Sequence, residues 1–258
     1  MLPQESYTLP AFYWIAELGA EVAAATLVIW AIGKSTSRLP APDRIAVRLA
    51  VGLGLPLWFA TVAFLAAHNV FRFSAARAPY LGLGVALPLV IAVVAARLWP
   101  ALREAALRVP QQWLIGIHSF RVLGVLFLLA MANGQLPALF ALPAGVGDIL
   151  VGVGALEIAY LYSKGVREAR DLALVLNWFG IADLINAVAI GFLASTTPFR
   201  LLFTQPSTNL MTVLPFVMVP VFGIPLFLML HFASLTALRR EQGAPSRAGR
   251  AALVEAVS

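Results

Sequence analysis

Cysteine is absent from this chain, which removes disulfides, thiolate metal sites and cysteine nucleophiles but leaves the redox compartment undetermined. Charge is nearly as scarce. Only 12% of the 258 residues are charged, against roughly a quarter in a soluble domain. Lysine occurs only at Lys34 and Lys164, and histidine only three times. No Gly-x-Ser-x-Gly elbow, His-Glu-x-x-His pair or phosphate-binding loop occurs, so no motif argues for an enzyme and a non-enzyme is expected.

What is abundant is apolar. Hydrophobic residues make up 61% of the chain, and the mean hydropathy is +0.88. Such a chain cannot cover itself with polar groups in water, so lipid is its expected solvent. Runs near or above 18 residues match the roughly 20 helical residues that cross a bilayer. In lipid every backbone group needs an internal partner, and segments this long are helices and not barrel strands. Seven spans are expected, at 11–33, 45–67, 80–98, 113–132, 137–161, 172–194 and 210–238. The expected fold is all-α, a single seven-helix transmembrane bundle over residues 1–238 with a flexible basic tail at 239–258.

The cations are unevenly placed. With the N-terminus outside, inner segments carry fourteen: Lys34, Arg38, Arg44, Arg48, Arg97, Arg103, Arg108, Lys164, Arg167, Arg170, Arg239, Arg240, Arg247 and Arg250. Outer segments carry only Arg72, Arg77 and Arg200. This asymmetry predicts N-out and C-in in a membrane of the bacterial inner type. It also accounts for the net charge of +6 without a nucleic-acid partner. The first span has no basic residue before it, so it reads as a retained helix and not a signal peptide. Residues 99–110, bounded by prolines, read as a short interfacial helix, and Trp14, Trp58, Trp99 and Trp113 are candidates for an aromatic belt.

The ionisable residues inside spans are the strongest pointers to function, because each is costly in hydrocarbon. Glu17 and Glu21 share a face of span one, Glu17 shallow and Glu21 near the middle. His118 and Arg121 share a face of span four. Asp148 and Asp183, counted inward from opposite sides on spans five and six, fall at one level near the midplane. Small residues at Ala144 and Gly152, and at Ala187 and Gly191, flank the aspartates at helical spacing and permit close packing. Asn177 and Asn186 add hydrogen-bonding capacity nearby.

Arg121 is the one intramembrane cation facing Glu21, Asp148 and Asp183. One carboxylate can pair with it, so the other two must share or keep a proton or bind a cation. Two readings follow. In one, the residues form a proton- or cation-coupled site for transporting or sensing a small solute. In the other, they are a polar network that only fixes helix packing, as in an assembly or partner subunit of a larger membrane complex or a homo-oligomer.

Three further features carry alternatives. His118 and His231 lie at similar depth on spans four and seven, the minimum for haem or metal ligation in a membrane redox subunit. His68, at the outer end of span two, reads as interfacial. Pro215, Pro220 and Pro225 each remove a backbone donor from span seven, which either bends it around a cavity or is compensated by neighbours. The seven-span, N-out layout resembles the topology of microbial rhodopsins, but a retinal Schiff base needs a lysine within a helix. Both lysines sit in inner loops, which excludes it.

Overall fold

The computed structural model describes residues 7–73 and 80–243. Among them there is no strand, and seven helical stretches are long and apolar enough to cross a membrane. Arg77, Arg247, Arg250 and the tail from residue 244 onward lie outside the described residues.

Prolines open the helices. Pro10, Pro40, Pro110 and Pro137 immediately precede α1 (Ala11–Ser35), α2 (Ala41–Ala67), α5 (Gln111–Gly116) and α7 (Ala138–Ser163). Between these lie α3 (Tyr80–Leu98) and α4 (Pro100–Leu107), the latter the short helix expected between spans three and four. A fixed φ near −65° and a missing N–H cost nothing where helical donors are unpaired anyway. Three spans stop alike. Asn69, Gly134 and Gly165 take positive φ, and Val70, Gln135 and Val166 reach back to the carbonyls of Leu65, Ala130 and Leu161. Each is a left-handed cap that satisfies the last turn.

Span four is not one uniform helix. Between α5 and α6 (Val125–Ala132) the chain tightens into a 3-10 segment over Ile117–Gly124. Three residues per turn then put His118, Arg121 and Gly124 in one row along the segment. That row packs backbone to backbone on α7. A Cβ at Gly152 would stand 2.5 Å from the Val122 nitrogen, and one at Gly124 would stand 2.5 Å from the Asp148 Cβ. Beyond α7, α8 (Ala169–Leu193) lies against its other flank.

Span seven departs most from expectation. Helix was expected from residue 210, but Thr208–Thr212 is a 3-10 turn, Val213 is extended, and Val219–Gly223 is a π-turn before α9 (Ile224–Gly243). Proline is the cause. It disfavours helix in the residue before it and supplies no N–H, and three prolines at intervals of five forbid a regular start. The irregular backbone is tolerated because residues 210–213 and 215–218 are buried in protein. Pro225 leaves the Val221 carbonyl without its helical donor, and the Trp58 indole N–H supplies one at 3.2 Å. Pro220 likewise frees the Phe216 carbonyl, which accepts from the Val219 N–H at 3.1 Å. Neighbours therefore satisfy both. Trp58 works as a hydrogen-bond donor to a broken helix, and Trp113 meets Trp30 edge-on. His68 sits exposed at the end of α2, its Nδ1 2.8 Å from the Phe64 carbonyl.

The last span is the centre of the bundle, with 72% of its apolar window buried, whereas α2 and α3 bury only 11% and 6%. α9 runs beyond Leu238, so Arg239 and Arg240 are helical. Arg240 and Arg108 both pair with Glu104 on α4, at 3.1 and 2.9 Å. The Arg240 hydrogen bond foremost, with Arg108 beside it, holds the Glu104 carboxyl below its ordinary range.

Two measurements test this account. Gly152→Ala should cost about 1–3 kcal/mol in detergent unfolding, since two backbones must separate. Gly52→Ala, where a Cβ meets nothing within 4 Å, should be neutral or stabilising. A lowered folded-state carboxyl contributes stability above its unfolded value of about 4.3 and loses it as pH falls further. Glu104→Gln should therefore remove a small increment, under about 1 kcal/mol for an exposed pair, seen near neutral pH and absent in acid.

Candidate functional site

Arg121 reaches across the contact between the 3-10 segment and α7. Its Nε donates to Asp148 Oδ1 and its Nη2 to Asp183 Oδ2, both at 2.6 Å. Its Nη1 meets His231 Nε2 at 3.2 Å and the Gly180 carbonyl at 3.4 Å. The side chain is 1% exposed, so every nitrogen of the guanidinium faces an acceptor inside the protein. The sequence-based expectation was a single carboxylate partner. The planar fork instead serves two, because its nitrogens point in different directions and the aspartates approach from different helices.

Glycines make the room. A Cβ on Gly147 would overlap Asp183 Oδ1, and one on Gly180 would stand 2.5 Å from the His231 ring. Gly223, in the π-turn, leaves space in the same way for Glu21 Oε1.

Behind His231 a polar chain runs through the helices. Asn177 Nδ2 donates to the Ala173 carbonyl and to Ser234 Oγ, both at 2.8 Å. Ser234 Oγ donates to Gln111 Oε1 at 2.8 Å, and Gln111 Nε2 donates to the Ser234 carbonyl at 3.0 Å. Backbone carbonyls only accept, so they orient both amides. Asn177 must then present its oxygen to His231 Nδ1, 2.8 Å away. His231 is thereby the neutral Nδ1–H tautomer, and its Nε2 lone pair faces Arg121.

His118 stacks on His231, with ring centres 3.8 Å apart and planes 20° from parallel. Both His118 ring nitrogens are buried without a hydrogen-bond partner among the described residues. A metal bound by both rings would have to lie in both ring planes, which face-to-face stacking does not permit. Both His231 nitrogens are also already engaged. No group of three or more metal-ligating side chains occurs among the described residues.

A cavity of about 40 Å³ adjoins the arginine, lined by Glu17, Glu21, Arg121 and Asp148 and closed by apolar residues of α8 and the last span. Glu17 and Glu21 are 6% and 5% exposed. Glu17, expected to be shallow, joins the acidic cluster because its i, i+4 partner carries it to the same face. Glu21 Oε2 is buried with no hydrogen-bond partner among the described residues. Asn186, expected in the network, is exposed, although it stands one turn from the buried Asp183. Gln111 and Ser234 were not anticipated. Ser234 stands one turn from His231, and that spacing was the available signal.

A family described as "Domain of unknown function (DUF8737)" matches residues 78–239, more than half of the chain, and the chain belongs to that family. The match spans Arg121, Asp148, Asp183 and the His231–Asn177 chain, while Glu17 and Glu21 on α1 lie before it. No curated protein and no solved structure matches.

Removing the arginine would strand the buried Asp183 and the largely buried Asp148. Arg121→Gln should therefore lower stability by about 3–5 kcal/mol in denaturant unfolding. The triple variant Arg121→Gln, Asp148→Asn, Asp183→Asn should recover much of that loss, because neither position is then left with an uncompensated charge.

Proposed function

With membership of this family as the premise, we propose that the chain is an integral membrane protein that transports or senses a small solute. Coupling to protons or a cation runs through Arg121, Asp148 and Asp183. The N-terminus lies outside and the C-terminus inside, in a membrane of the bacterial inner type, as the distribution of cations argues.

The observation that carries this reading is the charge imbalance around one cavity. Three carboxylates, Glu17, Glu21 and Asp148, line the cavity beside a single arginine that also holds Asp183, so full ionisation would leave a net charge of −3 (four negative, one positive). A low-dielectric site does not hold that charge, so protons or a cation must balance it. Arg121 engages both aspartates, so protonation of either changes what it grips, and three helices sense the change. The broken start of the last span supports the same reading, since discontinuous helices commonly border transport sites.

A second reading has one observation in its favour. α2 and α3 are almost unburied, as they would be in a partner subunit of a larger complex. It predicts co-purification of the chain with a stable companion and no flux of its own.

The test is Asp148→Asn and Asp183→Asn in reconstituted vesicles, with proton uptake and solute flux followed across pH. Each substitution should bring flux to background or flatten its pH dependence. If both leave rate and profile intact, the coupling role is lost.

A further inference from the structure

A second opening bears on what the solute is. Between α1 and the 3-10 segment runs an apolar groove that includes Ile15, Gly19 and Leu156. Ile15 and Leu156 are 74% and 60% exposed, so the groove opens on the outer flank of the bundle. Ala20, Phe120 and Leu123 line both the groove and the acidic cavity, so the two adjoin at these three side chains. A molecule lying in the groove would have one end against the side chains that bound the carboxylate cavity.

The chemistry of that end is set by what the cavity leaves unsatisfied. Arg121 offers nothing to an anion, because its nitrogens are already turned to Asp148, Asp183, His231 and the Gly180 carbonyl. Among the described residues that line the cavity, Glu21 Oε2 is a buried acceptor without a hydrogen-bond partner, on a residue 5% exposed. An N–H donor carrying positive charge satisfies it and reduces the negative excess together. A cavity of about 40 Å³ is small, with space for only a few water-sized groups. It therefore favours a primary ammonium over a bulky quaternary one.

We propose that the cavity and the adjoining groove together bind a single-chain alkylammonium ion, its ammonium donating to Glu21 beside Glu17 and its tail passing between Ala20, Phe120 and Leu123 into the groove along Gly19. This rests on the proposed function only in assigning the solute class of the same site, and it is tested by binding without flux.

The experiment is equilibrium binding of radiolabelled dodecylammonium to the full chain in nanodiscs of zwitterionic lipid. Wild type should bind saturably, one ion per chain, above the partitioning of empty discs. Gly19→Leu fills the groove where a Cβ meets nothing within 4 Å, so the fold has room for it. Glu21→Gln removes the charged acceptor. Each should weaken binding by roughly tenfold or more. Dodecanoate should not compete, and methylammonium, lacking a tail, should compete only weakly. Non-saturable uptake, unchanged binding in Gly19→Leu, or equal competition by dodecanoate would each overturn the assignment. Saturable binding together with unaltered flux in the aspartate variants would leave this site standing and sink the coupling role alone.

Discussion

The contact on which the rest of the structure depends is the guanidinium of Arg121 set between two aspartates. An arginine in this setting cannot discard its charge, and each aspartate would be costly without it. The pairing therefore binds three elements at one level: the 3-10 segment, α7 through Asp148 and α8 through Asp183. A fourth joins through His231 on α9, whose tautomer is imposed by Asn177 and, further back, by Ser234 and Gln111. Polar atoms in hydrocarbon hold helices together only when every donor has a direction to go. Here two backbone carbonyls set those directions.

The backbone is shaped to allow this contact. A regular α-helix through residues 117–124 would space His118 and Arg121 less directly in line, and the tighter segment aligns them with Gly124. Gly124, Gly147, Gly152 and Gly180 then let helices and side chains approach to distances no Cβ would permit. The run AGVGDILVGVGA is therefore a close-packing surface with one acid in it. The acid and the glycines serve one end, since Gly147 admits Asp183 from α8 beside the neighbouring Asp148.

Much of this was legible in the residues. Apolar length and the need for internal backbone pairing lead to seven helices, and counting inward from each end brings Asp148 and Asp183 to one level. Intramembrane charge singled out Arg121. Other features were not legible. That one guanidinium serves two carboxylates is a matter of approach direction, which spacing along a helix does not reveal. That Glu17 is buried beside the same cavity as Glu21 is a matter of packing by neighbours, which depth counted along a helix does not reveal. Asn186 stands one turn from Asp183 yet is exposed, which sequence spacing does not reveal. The start of the last span was misjudged because hydropathy continues through residues 210–218 while three prolines withhold the helix.

The most direct measurement is a solid-state NMR recoupling experiment in lipid bilayers, between the guanidinium nitrogens of Arg121 and aspartate carboxyl carbons. The account requires short-range coupling from this arginine to two distinct carboxyl carbons, one lost on replacing Asp148 and the other on replacing Asp183. Coupling to a single carboxyl carbon, or to none, would contradict it.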